Sequence, residues 1–125
     1  MRILIKTQHG SLEAEITDKN PKTAKAIVNA LPLEGRAKTW GNEIYFEIPV
    51  KIGEENSQQE VDVGDLAYWI EGSCFCIFFG KTPASKSEKP IAYSPVNVFG
   101  KITTKNFVEI LKKVKDNEKI RVEKA

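Results

Sequence analysis

Short runs in which apolar and polar side chains alternate dominate this chain. Ile3 and Ile5 belong to the first run, and the segment Leu12–Ile16 alternates in the same way. A period of two places one face of a strand against a core and the other face in water. Between the runs, Gln8–Gly10 is typical of a tight turn, since glycine tolerates positive φ. The N-terminal sequence therefore predicts an antiparallel hairpin.

The same alternation recurs through the middle of the chain. In NEIYFEIPV, Glu43, Tyr45 and Glu47 share one face of a predicted strand, and apolar residues occupy the other face. Polar segments at 53–60 and 81–90 oppose regular structure and predict loops. The remaining predicted strands are RAKTW, the VDV and LAYWI runs on either side of a Gly64-Asp65 turn, CFCIFF, VNVFGKI and KIRVEK.

Two segments follow a helical period instead. Asn20 is predicted to cap the first helix, Pro21 suits its first turn, and Pro32 ends it. Its apolar stripe is Ala24, Ile27, Val28 and Leu31. The second helix, with Asn106 or Thr104 as its cap, turns a second stripe inward: Phe107, Ile110, Leu111 and Val114.

The order of elements predicts a mainly β fold. Two strands, a helix, several strands, a helix and a final strand are compatible with one sheet closed into a barrel, with a helix at each end. The length of 125 residues fits a single domain, residues 1–125.

Composition limits the classes of partner and the cellular location that we expect. The net charge of +2 lacks the basic excess that phosphate-backbone binding needs, so nucleic acid is not an expected partner. No apolar run approaches the roughly 20 residues that span a bilayer, so no membrane association and a cytoplasmic location are expected. Lysine and glutamate dominate the charges, a composition compatible with a thermophile.

Gly80-Lys81-Thr82, at the end of CFCIFF, is a short match to a phosphate-binding loop. That loop also needs a glycine five positions earlier and a helix directly afterwards. Phe75 occupies the earlier position, and Pro83 opens a polar segment. A core strand with its exit turn is therefore favoured over a phosphate site.

The cysteines and the single histidine do not form a metal site by their spacing. Cys74 and Cys76 point to one face of a strand, but zinc needs about four ligands and His9 is distant in sequence. We predict that the cysteines pack as small apolar side chains and that His9 is an exposed turn residue. No metal and no cofactor are expected.

Two sequence segments resemble the cyclophilins, the peptidyl-prolyl isomerases. VFGKI at Val98–Ile102 resembles their Val-Phe-Gly-Lys-Val strand, and CIFF at Cys76–Phe79 resembles their Gln-Phe-Phe-Ile strand. The latter match implies a pocket position for Phe79. The wider string TWGNEIYFEIPV…GDLAYW…CIFFGKTP is similar to a family of small prokaryotic cyclophilin-like proteins of unassigned activity. This resemblance covers essentially the whole chain and implies a closed eight-stranded barrel with two capping helices.

The departures from the cyclophilin pattern concern catalysis. A cyclophilin isomerase uses an arginine to polarise the prolyl amide, but Arg2, Arg36 and Arg121 all lie outside the matching strand. Ile91–Val96 stands where the family has a pocket tryptophan and histidine, and Ile77 replaces its glutamine. The resemblance therefore implies the barrel and an apolar pocket, not the activity.

The leading functional hypothesis is a barrel that binds a small molecule or a peptide in an aromatic pocket on its outer face, without isomerase catalysis. Glu43 and Thr82 would supply polar handles between aromatic walls. The candidate ligand-binding residues are Trp40, Glu43, Tyr45, Tyr68, Phe79 and Thr82. An alternative in which the aromatic residues only fill the core stays open.

Three further hypotheses stay open. One is a weak peptidyl-prolyl isomerase in which desolvation and Arg36 replace the missing arginine. Another is a structural or interaction module, a homodimer joined through an edge strand or an aromatic patch. The third, a piece of a larger amide-hydrolysing complex, rests on fold analogy alone.

Overall fold

A computed structural model describes all 125 residues, with ten strands and two helices. Strand makes up 44% of the chain and helix 13%, so the fold is mainly β, as predicted. The helices are α1 (Pro21–Ala30) and α2 (Phe107–Lys112). The strands are β1 (Arg2–Thr7), β2 (Gly10–Ile16), β3 (Leu33–Arg36), β4 (Lys38–Thr39), β5 (Glu43–Glu47), β6 (Gln58–Glu60), β7 (Asp65–Trp69), β8 (Cys74–Phe78), β9 (Ile91–Ile102) and β10 (Lys119–Lys124).

All ten strands belong to one antiparallel sheet. Its order is β3-β10-β1-β2-β9-β7-β8-β5-β4, and the short β6 also pairs with β9. The predicted N-terminal hairpin is confirmed, with Ile3 opposite Ala14 and Ile5 opposite Leu12.

The hydrogen-bonded sheet does not close on itself. β3 and β4 lie at its two ends, and Ala37 alone separates them along the chain. The N–H of Ala37 donates to the carbonyl of Glu118, and its carbonyl accepts from Asn117, both at 2.8 Å. The sheet has eight strands if β3 and β4 are counted as one interrupted strand and β6 is left out. The hydrogen bonds between these strands form an open path, not a closed barrel.

The two faces of the sheet bury two separate apolar clusters. Along β8, Phe75 and Ile77 belong to the larger cluster, whereas Cys74 and Cys76 belong to the smaller one. This division follows from the alternation of side chains along a strand. The smaller cluster consists of Val61, Ala67, Cys74, Cys76, Phe78, Ala92, Val96 and Val98, with Tyr45 and Trp69 packed against it.

Asn20 precedes α1 as predicted, but its side chain does not cap the helix. It is fully buried: its Nδ2 donates to the carbonyl of Val98 at 2.8 Å, and its Oδ1 accepts from the N–H of Asn56 at 2.6 Å. Instead, the carboxylate of Glu55 accepts two N–H groups of the first turn, each at 3.1 Å. A residue distant in sequence thus takes the capping role.

Asn106 occupies the N-cap position of α2, as predicted. Asn106 adopts the left-handed conformation with φ 64° and makes no side-chain cap, while Thr104 Oγ1 accepts the N–H of Glu13 at 2.7 Å. Leu111 is buried as predicted, and Val114 is buried beyond the helix end. Neither helix has the length and apolar character needed to cross a membrane.

One predicted strand is displaced. The sequence predicts a strand at VDV and a loop over 53–60, but β6 lies within that loop. Gln58 pairs with Val96 and Glu60 with Ile91 on β9. Val61 is buried in the smaller cluster without joining the strand. Polar residues form this strand because it is short and lies off the main path of the sheet, where side chains face water.

Candidate functional site

A pocket of about 240 Å³ lies on the face of the sheet that carries the smaller apolar cluster. The turn before β5, the strand β5, the end of β7 and the first half of β9 meet there. The lining residues are Trp40, Glu43, Tyr45, Trp69, Ala92, Tyr93 and Val96. Glu43 is the only charged residue among them, so the pocket is an aromatic enclosure with a single acid.

Four aromatic rings form its walls. Trp40 meets Tyr93 with ring centroids 6.0 Å apart at 81°, and Tyr93 meets Trp69 at 6.1 Å and 86°. Trp69 in turn meets Tyr45 at 6.2 Å and 82°. Edge-to-face pairs are favoured because the positive ring edge meets the negative face of its neighbour. Each ring is therefore nearly perpendicular to the next ring around the pocket. Tyr93, which is 70% exposed, is the most solvent-exposed of the four.

Trp69 is fixed from two sides. Its Nε1 donates to the Oγ of Ser94 at 2.6 Å. Its six-membered ring lies against the backbone of Gly72, where a Cβ would come within 2.2 Å of Cε3 and Cζ3. Only a residue without a side chain leaves room for the indole in this position.

A two-residue turn sets Trp40 beside Glu43. The two residues exchange backbone hydrogen bonds at 2.9 and 3.2 Å across Gly41-Asn42. Gly41 has φ +60°, and a Cβ there would lie 3.0 Å from Thr82 Cα. The N–H of Asn42 also donates to the carbonyl of Lys81 at 2.9 Å. The turn is therefore packed on the segment that follows β8, which limits movement of Trp40.

Glu43 is nearly buried, at 7% exposure, at the start of β5. No N–H or O–H group of the protein donates to its carboxyl, and no cationic side chain lines the pocket. Burial raises the pKa of Glu43 to about 7, and a hydrogen bond from the thiol of Cys76 acts in the opposite direction. The carboxyl thus changes its charge near neutral pH without a protein counterion.

The two cysteines pack beneath this site, as the sequence predicts for small apolar side chains. Both are free and buried, and they lie on β8 opposite Glu47 and Tyr45. Burial raises the pKa of Cys74 to about 11. The pKa of Cys76 is raised well above its ordinary value by burial and by the nearby acid of Glu43. Both thiols are therefore neutral at physiological pH and poor nucleophiles.

The structure divides the six predicted ligand-binding residues into two groups. Trp40, Glu43 and Tyr45 line the pocket together. Tyr68, Phe79 and Thr82 lie elsewhere.

Each residue of the second group has a structural partner. The Tyr68 hydroxyl, in the larger cluster, donates to the carbonyl of Val50 at 2.7 Å and accepts from the N–H of Ile52 at 3.3 Å. Phe79 belongs to the same cluster and is 5% exposed. The Thr82 Oγ1 donates to the carbonyl of Ile91 at 2.6 Å and so ties the ends of the 82–91 segment together.

Sequence reasoning missed Trp69, Ala92, Tyr93 and Val96. A signal for Trp69 was present, because alternation along DLAYW puts it on the face opposite Tyr68. Trp69 pairs with Cys74 and with Val96, which places it on the face of the smaller cluster. No signal identified Tyr93, since its approach to Trp40 depends on the path of the loop before β9.

The three arginines lie outside the pocket and bond to other groups. Arg2 pairs with Glu13, Arg36 donates to the carbonyl of Asn117, and Arg121 pairs with Glu34 and Glu123. No guanidinium therefore stands where it would polarise a prolyl amide bound between the aromatic rings.

The other motifs contribute nothing to this pocket. His9 faces Glu118, with Nε2 and Oε1 3.0 Å apart. No helix follows Gly80-Lys81-Thr82, so the loop lacks the N-terminus that a phosphate site requires. No three histidine, cysteine, aspartate or glutamate side chains are grouped as metal ligands would be.

Comparison with known proteins identifies relatives of the whole chain. The family model described as Cyclophilin-like matches residues 1–123. Among solved structures, the solution structure of a hypothetical protein from Archaeoglobus fulgidus is similar, with 42% sequence identity and a TM-score of 0.82. The match covers 100% of this chain and 95% of that one. No curated protein matches.

Proposed function

Because the chain belongs to the cyclophilin-like family and the similar archaeal structure is that of a hypothetical protein, we propose a function from the pocket itself. The protein binds a small organic molecule, or one side chain of a peptide, between Trp40, Tyr45, Trp69 and Tyr93. Binding takes place without prolyl isomerase catalysis.

The observation that carries this proposal is the fixed arrangement of four rings around one acid. Ligand pockets are commonly lined by apolar and aromatic side chains with a few placed polar groups. Ser94 and Gly72 hold Trp69, and the Gly41 turn holds Trp40, so two of the walls are preorganised. Preorganised walls lower the ordering cost that a ligand would otherwise meet.

The volume of the pocket limits the ligand. About 240 Å³ is below the roughly 300–1,000 Å³ typical of sites for drug-sized molecules. The site therefore suits a small head group or a single side chain, with the rest of the ligand lying outside, past Tyr93.

The lack of an electrophile in the pocket argues against isomerase catalysis. Twisting a prolyl amide requires a donor aimed at the carbonyl or the nitrogen, and removing one such donor typically costs about 10²–10³ in rate. Glu43 is the only charged lining residue and has the wrong sign for that task.

A titration followed by NMR tests the proposal. Isotope-labelled protein would receive a set of neutral and charged small fragments and an Ala-Pro peptide, with the indole N–H signals of Trp40 and Trp69 as reporters. We expect saturable shifts at the lining residues, lost in Trp69→Ala and retained in Tyr68→Phe, which alters the opposite face. No saturable shift with any fragment would contradict binding, and exchange between cis and trans peptide signals would contradict the absence of catalysis.

Tyr93 favours a second candidate function, a protein-interaction module. A tyrosine 70% exposed at a pocket is the kind of residue enriched at interfaces. Self-association through this face would appear in light scattering as a dimer that Tyr93→Ser dissociates. A monomer at high protein concentration would contradict a function as a homodimer.

The family membership also supports a closed barrel. We infer that β3 and β4 act as one strand that joins the two ends of the sheet through Ala37. Gly35 supports this arrangement: a Cβ there would lie 2.5 Å from Cδ2 of Phe46, so β3 packs directly on a side chain of β5. Hydrogen exchange tests the inference, since a closed barrel protects β3 and β4 as strongly as neighbouring strands.

A further inference from the structure

Resting on the proposed pocket, we infer that its ligand presents an organic ammonium group, held by the carboxylate of Glu43 and the faces of the surrounding rings. Glu43 has an unusual environment for an acid. Its side chain is nearly buried, faces the pocket and has no cationic partner, and its hydrogen-bond donor from the protein is the thiol of Cys76.

A buried carboxylate without a cationic partner is costly, because burial limits its hydration and the protein supplies no compensating positive charge. An anionic ligand would increase that cost by repulsion. A neutral ligand would displace water from the acid without replacing the charge. A cation removes the penalty, so the carboxylate selects for positive charge.

The aromatic walls select in the same direction. Ring faces carry negative potential and attract cations within about 6 Å of the centroid, and desolvated sites gain the most. Tryptophan is the strongest of these rings, and the pocket has two, Trp40 and Trp69. Several such rings around a small cavity match the known chemistry of alkylammonium recognition.

The cation is organic, not a metal ion. Metal sites require several ligand side chains, and no such group of three exists here. The apolar floor of Ala92 and Val96 suits methyl or methylene groups on the nitrogen. The volume of about 240 Å³ accommodates a head group of this kind.

The inference carries a pH dependence. The ligand binds the deprotonated acid, so affinity rises as pH passes upward through the raised pKa of Glu43, about 7, and levels off above it. The pKa values of Tyr45, Cys74 and Cys76 are all raised, away from neutral pH. The titratable and charged groups near the acid, or near its neighbours Tyr45 and Cys74, are Tyr45, Glu47, Lys38, Asp116, Cys74, Cys76 and Tyr93.

The test uses choline and dimethylbutanol, its uncharged isostere in which carbon replaces the quaternary nitrogen. The two indole signals are followed during titration at pH 8, and again at pH 5.5. We expect choline to bind about tenfold more tightly than the isostere at pH 8, and to lose most of that advantage at pH 5.5.

Glu43→Gln keeps the shape of the side chain and removes its charge, so it should remove most of the advantage of choline over the isostere and leave the smaller part that the aromatic rings supply. Glu47→Gln is the matched control, because Glu47 is an exposed acid on the same strand. It should leave the preference for choline unchanged. A thermal melt establishes that both variants are folded.

The outcomes separate this inference from the proposed function. Equal binding of choline and the isostere overturns the ammonium inference and leaves the pocket as a binding site. Binding of neither probe also overturns it, and the fragment titration then decides the proposed function on its own. A preference for choline in Glu43→Gln as large as that of the wild type overturns the role of the carboxylate.

Discussion

The N–H of Trp40 donates to the carbonyl of Glu43 at 2.9 Å, and the N–H of Glu43 donates back to the carbonyl of Trp40 at 3.2 Å. This pair closes a hairpin loop whose first central residue, Gly41, has positive φ, the position that type II′ turns reserve for glycine. One turn thereby fixes a wall of the pocket and its only acid relative to each other.

Gly41→Ala should therefore damage both stability and binding. A side chain at φ +60° is strained, and its Cβ would lie 2.8 Å from Pro83 Cδ and 3.0 Å from backbone atoms. We expect a loss of about 1–3 kcal/mol in the free energy of unfolding, measured by denaturant titration. Gly53→Ala is the control, since nothing lies within 4 Å of its Cβ, and it should change stability by less than about 0.5 kcal/mol. Equal effects of the two substitutions would contradict this account of the turn.

Gly72→Ala should displace Trp69. The added methyl would come within 2.2 Å of the indole, so the ring must rotate and give up its hydrogen bond to Ser94. We expect a large change in the Trp69 indole N–H shift, and a loss of ligand affinity without loss of the fold. The Trp40 signal should change less. An unchanged Trp69 signal would show that the ring does not lie on Gly72.

Glu43→Gln should stabilise the protein more at pH 8 than at pH 5. Between its unfolded value of 4.5 and its folded pKa of about 7, Glu43 binds more protons when folded, so wild-type stability falls as pH rises through this window. The accumulated penalty is about 3 kcal/mol. Denaturant titrations of both proteins at the two pH values isolate this group, because other carboxyl groups cancel in the difference. A difference that does not change with pH would contradict the raised pKa.

Tyr68→Phe should lower the stability of the protein without changing its ligand affinity. The substitution removes the hydroxyl that bonds Val50 and leaves the N–H of Ile52 without its acceptor. We expect a cost of about 1–2 kcal/mol in unfolding free energy and unchanged ligand affinity. Tyr45→Ala, on the pocket face, should weaken binding instead. Weakened binding in Tyr68→Phe would restore this residue to the ligand site.

The thiols should be unreactive in the folded protein. Cys76 is fully buried, and burial raises the pKa of both cysteines. We expect a disulfide reagent at pH 8 to modify neither thiol until denaturant is added. Rapid modification without denaturant would show that β8 opens to solvent in the native state.

Local patterns were sufficient for most of the fold. Alternation located the N-terminal hairpin and β5, aromatic and buried residue types located β8, and the 3.6-residue period located α1 and α2. The caps failed because they depend on tertiary contacts: Glu55 takes the place predicted for Asn20, from a loop far along the chain. The strand β6 was not predicted for the same reason. It forms by pairing with β9, and its own sequence, QQE, has no apolar alternation that would indicate a strand.

Three of the six residues predicted to bind a ligand line the candidate pocket. Trp40, Glu43 and Tyr45 lie within one turn and the strand after it, where sequence proximity implies spatial proximity. Tyr68 was assigned to the pocket by residue type and Phe79 by the resemblance to the cyclophilin strand, although strand alternation places both on the opposite face with the larger cluster. Tyr93 reaches the pocket only through the tertiary path of the segment before β9.

The most direct measurement is the carbon NMR titration of the Glu43 carboxyl, with and without tetramethylammonium. A midpoint near 7 in the free protein that falls by about one unit or more with the cation would establish an unpaired buried acid that the cation neutralises. A midpoint near the ordinary 4.5 under both conditions would contradict the account, because the carboxyl would then be solvated or already paired.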